Sequence, residues 1–196
     1  MLNLLFDDSY FNDGTIGYKN YTDYPHFLKR AEFIRDILKA ENVIVLGGSY
    51  GFLTKHLLGF NIKSTTIDNS DYAYKRRVIF DENYIKDDII NLQKYTVFTD
   101  ADWIVSWNVL DCVSGDDESN KIAEVLNNFK GRQLHVICMS DKSYEDNGYF
   151  IQPEEYWKKL FPSACLVNYD IKKIIQKPTG YESIKYVPLS WEGVSE

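Results

Sequence analysis

The chain has 196 residues, enough for one domain whose core needs no disulfide or metal staples. Its net charge is −7, so it lacks the basic surplus from which a sequence-independent nucleic-acid binder draws its affinity. Its three cysteines (Cys112, Cys138, Cys165) are odd in number and widely spaced, with no Cys/His cluster, which argues against a disulfide framework and a metal centre.

The opening MLNLLFDDSYFND has too short an apolar segment for a signal peptide, and no run reaches the length of a membrane span. The expected setting is therefore reducing and cytoplasmic. Residues 1–24 read as polar, aromatic and irregular, with Tyr10, Tyr18, Tyr21 and Tyr24 clustered there. Pro25 opens a helix on which Phe27, Ala31, Ile34 and Leu38 fall at helical spacing. Val43–Leu46 is a continuous apolar run, the pattern of a strand buried on both faces. A helix follows through Phe52, Leu53, His56 and Leu57, then a β-branched strand over Ser64–Ile67. Tyr72–Arg77 reads as a short helix, Tyr84–Lys86 as a weak strand and Trp103–Trp107 as a strong one. Residues 108–118 read as a polar loop, Asn120–Phe129 as an amphipathic helix and Leu134–Met139 as a buried strand. Pro153 starts a last helix, and two strands, from Cys165 towards Ile175 and over Ile184–Val187, flank the Lys177–Gly180 turn. Strands alternating with helices imply a mainly parallel, doubly wound α/β sheet, and the final pair reads as an antiparallel hairpin at its edge.

In such a sheet, ligands bind beyond the carboxyl ends of the strands, and the turn after the first strand is the prime position. Here that turn is GGSYG, running from Gly47 to Gly51 into a helix. It fails the dinucleotide pattern G-x-G-x-x-G, and Thr54-Lys55 is in the wrong order and place for a phosphate loop. A lone glycine-rich loop is weak, but Asp68 ends the second strand 21 positions after Gly47. An acid about 20 residues on is the expected ribose ligand of a nucleotide fold, whereas a plain turn-starting aspartate is the structural alternative.

In this order and spacing the segments resemble the motifs of class I S-adenosylmethionine-dependent methyltransferases, over most of the chain. VIVLGGSYGFLTKHLL resembles the family's first motif, TTIDNSDYA the second, KDDIINL the segment after strand 3, and DWIVSWNVLDCV the strand 4 motif. GYKNYTDYPHFLKRAEFI and QPEEYWKKLFPSACL resemble the flanks of small phage- and bacterial-type members. The resemblance implies a Rossmann-like seven-stranded sheet and S-adenosyl-L-methionine as cofactor. It places Gly47, Gly48, Ser49 and Gly51 in the cofactor loop, Asp68 on the ribose and Asn69 against the adenine. It places Asp88 by the adenine amino group, Ile89 beside the ring, and Ser106 and Trp107, with Asn108, beneath the methionine part. The chain then reads as a single domain over 1–196, with an N-terminal lid and helix over 1–40 and the core over 41–196. One departure is plain: Ser49 stands where the family has its middle glycine, which brings a Cβ to the closest approach of the cofactor.

A sulfonium methyl needs an aligned nucleophile and a dry site more than a catalytic residue on the protein, and the sequence holds no identifiable triad. His56 and His135 read as structural, and His26 as a minority candidate for the active mouth. The Tyr18, Tyr21, Tyr24 cluster reads equally as core packing or as a lid, with Tyr21 over the methionine end. Tyr144, Tyr149 and Phe150, with Asp141, Glu145 and Asp146, form an aromatic, acidic segment after strand 5, which suits a neutral or cationic acceptor. The acceptor is expected to be a small molecule. Nucleic acid is not favoured but stays open through Lys75-Arg76-Arg77 or Lys158-Lys159, which read first as solvated helix faces. A non-catalytic domain of this fold that binds a nucleoside or a protein is the second reading, and a nicotinamide oxidoreductase the third.

Overall fold

Strand β1 (Asn42–Leu46) shows why this sequence builds a three-layer fold. Val43 and Val45 pack into one apolar cluster, with Phe27, Ala31, Leu53 and Leu57, while Ile44 and Leu46 pack into another, with Ile122, Leu126 and Trp157. Side chains of a strand alternate between faces, so an all-apolar strand requires a helical layer on each side. The computed structural model describes residues 6–13, 18–139, 144–146, 149–166 and 185–192.

The other core strands are β2 (Lys63–Ile67), β3 (Tyr84–Ile85), β4 (Trp103–Trp107) and β5 (Arg132–Met139). They lie in the order β3-β2-β1-β4-β5, and every pair among them is parallel. The order reverses between β1 and β4, which opens a crevice at their carboxyl ends. A short pair, β6 (Tyr144–Asp146) with β7 (Tyr149–Ile151), follows β5, where the sequence gives only a loop. Beyond β5 the sheet continues with β9 (Lys185–Glu192), antiparallel to β5, and β8 (Cys165–Leu166), antiparallel to β9. The expected turn at Lys177–Gly180, the extension to Ile175, and Asp141 fall outside the described residues.

Helix α1 (Pro25–Phe33) starts at its proline and runs into a wider π turn over Ile34–Leu38, so Phe27, Ala31, Ile34 and Leu38 stay on the buried face as the spacing predicts. Helices α2 (Phe52–Gly59) and α3 (Asp71–Lys75) flank β2, and α4 (Val97–Asp100) precedes β4. Helix α5 (Asp116–Asn127) begins four residues before its expected start. Asp116, Asp117 and Glu118 fill its first turn, where carboxylates favour the free N–H groups. Helix α6 (Glu154–Leu160) follows Pro153. Among the described residues no helix is long and apolar enough to cross a membrane, and no His/Cys/Asp/Glu group could hold a metal ion.

Candidate functional site

A cavity of about 120 Å³ lies at the carboxyl ends of the parallel strands. Each wall is a segment that leaves a strand. The first is the glycine loop. Gly47 has φ 57, and a Cβ there would stand 2.5 Å from Val109 Cγ2. Gly51 has φ 85 and caps α2, and a Cβ there would meet Ile79 at 2.6 Å. Both positions need the freedom of glycine. Ser49 adopts φ 52 without that freedom, a conformation that costs a side-chain-bearing residue about 1–2 kcal/mol.

The compensation for Ser49 comes from the second wall. Its N–H donates to Asp68 Oδ2 at 2.8 Å, while the Ser70 N–H donates to Oδ1 at 2.9 Å. Asp68 therefore ties the glycine loop to the end of β2, and both oxygens keep lone pairs beside the cavity. Burial raises its carboxyl above the ordinary value, and the two N–H bonds oppose that rise. The Ser49 hydroxyl is buried without a hydrogen-bond partner, and Tyr21 lies beside it.

The third wall separates two adjacent acids. Asp87 accepts from the Tyr95 hydroxyl at 2.6 Å, the Asn91 amide at 2.8 Å and the Asp88 N–H at 2.7 Å, and these bonds hold its carboxyl below the ordinary range. Asp88 caps the turn at Ile90 through Oδ1, and its Oδ2 has only a long 3.4 Å bond from Asn69. Asp88 is thus the acid of this pair with acceptor capacity left over.

The fourth wall is the end of β4. Trp107 and Asn108 line the cavity, and Trp107 Nε1 and Asn108 Oδ1 are buried without partners. The Arg30 guanidinium lies 5.0 Å from the centre of the Trp107 ring. Segments 6–13 and 18–21 close the cavity with Phe6, Tyr10, Phe11, Tyr18 and Tyr21. This cover is fastened to α3: Ser70 Oγ donates to the Phe6 carbonyl at 2.6 Å, Tyr72 donates to Asp8, and Phe11 stacks on Tyr72 with ring centres 5.6 Å apart. Asp23 fastens its other end to α2 through His56 Nε2 at 2.7 Å and Lys55 Nζ at 3.0 Å.

Of the residues singled out from sequence, Gly47, Ser49, Asp68, Asn69, Asp88, Ile89, Trp107 and Tyr21 come together on this cavity. Three do not. Gly48 packs against Thr66, where a Cβ would sit 2.7 Å away, and Gly51 turns behind the loop. Ser106 is fully buried within the sheet, 2.7 Å from His135 Nδ1. Burial pushes that imidazole down to about 3, so His135 is neutral and structural. Tyr24 is not part of the lining; its hydroxyl donates to the carbonyls of Lys19 and Asn20. His26 stacks beside Tyr24, away from the cavity. Lining residues that the sequence did not single out for the site include Phe11, Cys112 and Glu118, while Tyr10 belongs to the N-terminal tyrosine cluster noted there. Glu118 falls in what reads as a polar loop; in the structure it stands four residues before Ile122 on α5, one helical turn along the same face.

A parallel sheet of order 3-2-1-4-5, with a glycine loop after its first strand and an acid ending its second, is the fold of the class I S-adenosylmethionine-dependent methyltransferases. No protein-family model and no curated protein matches the sequence. Solved structures do. TehB from Haemophilus influenzae superposes with a TM-score of 0.62 at 16% identity, over 85% of this chain and 62% of that one. The 1,6-didemethyltoxoflavin-N1-methyltransferase of Burkholderia thailandensis, solved with 1,6-didemethyltoxoflavin and S-adenosylhomocysteine, gives 0.64 at 13% identity, over 96% and 85%. The magnesium protoporphyrin IX methyltransferase of Synechocystis PCC 6803, solved with S-adenosylmethionine, gives 0.60 at 12%, over 86% and 80%. At these identities the likeness is one of fold.

Proposed function

We propose that this chain binds S-adenosylmethionine and transfers its methyl group to a small-molecule acceptor. The observation that carries this reading is the Asp68 clamp, which joins the glycine loop to the end of β2 and leaves the carboxylate facing the cavity. The residues around it suit an adenosyl group. Asp68 has acceptor capacity for a pair of ribose hydroxyls, and Asp88 Oδ2 has it for an exocyclic amine. Ile89 and Ile67 offer apolar walls to a flat base. The buried Ser49 hydroxyl and Trp107 N–H are donors that a ligand would satisfy, since orphaned buried polar groups cost free energy. The cofactor, when bound, supplies a methyl group already activated on a sulfonium.

The chain's own work is then to orient and to exclude water. Tyr10, Phe11 and Tyr21 roof the cavity with rings, and the β4 end floors it with Trp107. Residues 1–40 act as lid and first helix of one unit spanning 1–196, in a cytoplasmic setting. The strain at Ser49 favours the second reading, a non-catalytic nucleoside-binding module of the same fold. Calorimetry with S-adenosylhomocysteine, S-adenosylmethionine and NAD tests the cofactor. Binding of both adenosyl compounds, weakened about 10–100-fold in Asp68→Ala, supports the reading, because a hydrogen bond to a charged group is worth about 1.5–3 kcal/mol. No adenosyl binding would sink it, and NAD binding alone would point to an oxidoreductase. Binding with no methyl transfer to any acceptor would leave the second reading.

A further inference from the structure

Ser70 joins the acid at the end of β2 to the cover, 64 positions away in the chain. Its N–H donates to Asp68 Oδ1 at 2.9 Å. Its hydroxyl accepts from the Ala73 N–H at 3.0 Å, which caps α3, and donates to the Phe6 carbonyl at 2.6 Å. A hydroxyl has one proton and two lone pairs, so it can hold both partners at once. Ser70 is buried, whereas the other fastening on α3, from Tyr72 to Asp8, is exposed. Phe6 lines the cavity, and its ring meets Tyr10 edge to face with centres 4.9 Å apart. Within the cover the N–H groups of Phe11, Tyr18 and Tyr21 donate to the carbonyls of Asp7, Tyr10 and Phe11, so segments 6–13 and 18–21 form one hydrogen-bonded piece.

The cavity beneath this cover holds about 120 Å³. Pockets that enclose a drug-sized ligand run to about 300–1,000 Å³. An adenosyl cofactor therefore enters only when the cover moves outward, and the contacts that hold the cover down must break first. We propose that Ser70 is a positioning residue for cofactor capture. Its bond to the Phe6 carbonyl breaks to admit the cofactor and re-forms over it, while its N–H bond to Asp68 seats the cover against the acid that holds the ribose. This rests on the reading that Asp68 holds the ribose of an adenosyl cofactor. The Ser70–Phe6 bond is present both before entry and after capture, so its contribution cancels from the affinity and stays in the rates: it slows entry and escape alike. A residue that only kept Asp68 in shape would act on the affinity instead.

The test is stopped-flow binding of S-adenosylhomocysteine to the full chain, read by tryptophan fluorescence, since Trp107 lines the cavity. Ser70→Gly removes the hydroxyl and keeps the N–H bond to Asp68, and glycine, unlike alanine, is a tolerated helix cap. In this variant association and dissociation should both quicken about fivefold, equivalent to about 1 kcal/mol, with Kd within about twofold of wild type. Ser70→Thr, which keeps the hydroxyl, should keep wild-type rates. Unchanged rates in Ser70→Gly overturn the inference, as does a threonine variant as fast as the glycine one. A loss of affinity without faster association also overturns it, because that is the mark of damage to the Asp68 site. Where Ser70→Gly does not fold, amide hydrogen exchange of the wild type decides. S-adenosylhomocysteine should slow exchange of the Phe11, Tyr18 and Tyr21 N–H groups about fivefold or more, and unaltered exchange would mean that the cover captures nothing. Failure of S-adenosylhomocysteine to bind wild type is a separate result, and it strikes the cofactor reading instead.

Discussion

Replacing Asp111 by asparagine should stabilise the folded protein above pH 6, since it removes a buried ionisable group at almost no change in size. Burial pushes the Asp111 carboxyl up to about 6 from an ordinary 3.8, and the nearby Cys138 thiol and amide oppose that rise only in part. In the folded chain this group therefore holds its proton more tightly than in the unfolded chain. The sign follows from linkage: stability contributed by the raised group is fully present below pH 3.8 and is lost as pH rises through 6. A pKa difference of this size is worth about 3 kcal/mol. Asparagine keeps the shape and cannot ionise. Urea denaturation of both proteins across pH 4–8 should show the variant's advantage growing from small values at pH 4 to about 3 kcal/mol at pH 7.5, a Tm difference of ~6–12 °C. The comparison between the two proteins matters because His135 titrates in the opposite sense over part of the same window. An advantage that is flat with pH, or a wild type more stable at pH 7.5, would mean that Asp111 has a charge partner in the folded state and would refute the reasoning.

Four further predictions follow from single contacts. Ser49→Gly should relieve the left-handed backbone at φ 52 and raise stability by at most about 1 kcal/mol by urea denaturation, with S-adenosylhomocysteine affinity equal or better; a large loss of affinity would make the serine hydroxyl itself a ligand. His135, buried and held neutral with its imidazole down at about 3, contributes stability present above 6.5 and lost as pH falls toward 3. In His135→Gln the slope of stability against pH between 6 and 4 should therefore fall by up to about 1.4 kcal/mol per pH unit, read from urea midpoints. Tyr72→Phe removes the bonds to Asp8 and Asn12 and keeps the stacking on Phe11, so S-adenosylhomocysteine should dissociate about fivefold faster in stopped flow; an unchanged rate would show that the cover does not gate the cavity. Gly48→Ala forces a Cβ to within 2.7 Å of Thr66 and should cost about 1–3 kcal/mol in thermal unfolding, although Gly48 does not line the cavity.

Local periodicity carried most of the sheet. Val43–Leu46 and Trp103–Trp107 are apolar on both faces, and such runs have few places to go except the centre of a covered sheet. Boundaries slipped where local chemistry and periodicity compete, as at α5, whose three acidic residues extend the helix backwards into what reads as a polar loop. Three short elements were illegible for a different reason. The turns over Ile89–Lys94 and Val97–Asp100, and the β6–β7 pair, are too brief to show a period.

The candidate site divides along the same line. Gly47 and Asp68 sit at strand ends that can be counted along the chain, while the family resemblance adds Ser49, Asn69, Asp88 and Ile89; all six line one cavity. Sequence by itself could not decide between roles for equivalent side chains. Asp87 and Asp88 differ only in which hydrogen bonds consume them, and those bonds come from Tyr95, Asn91 and Asn69. Ser106 and Trp107 are neighbours on one strand, and the alternation of its faces sends one to His135 and the other to the cavity. The place of Phe11 in the cover, the hold of Asp68 on the Ser49 N–H, and the burial of the Asp111 carboxylate belong to the tertiary structure alone. Each depends on which distant segment packs beside it, and periodicity reports only that a side chain is buried, not what it is buried against.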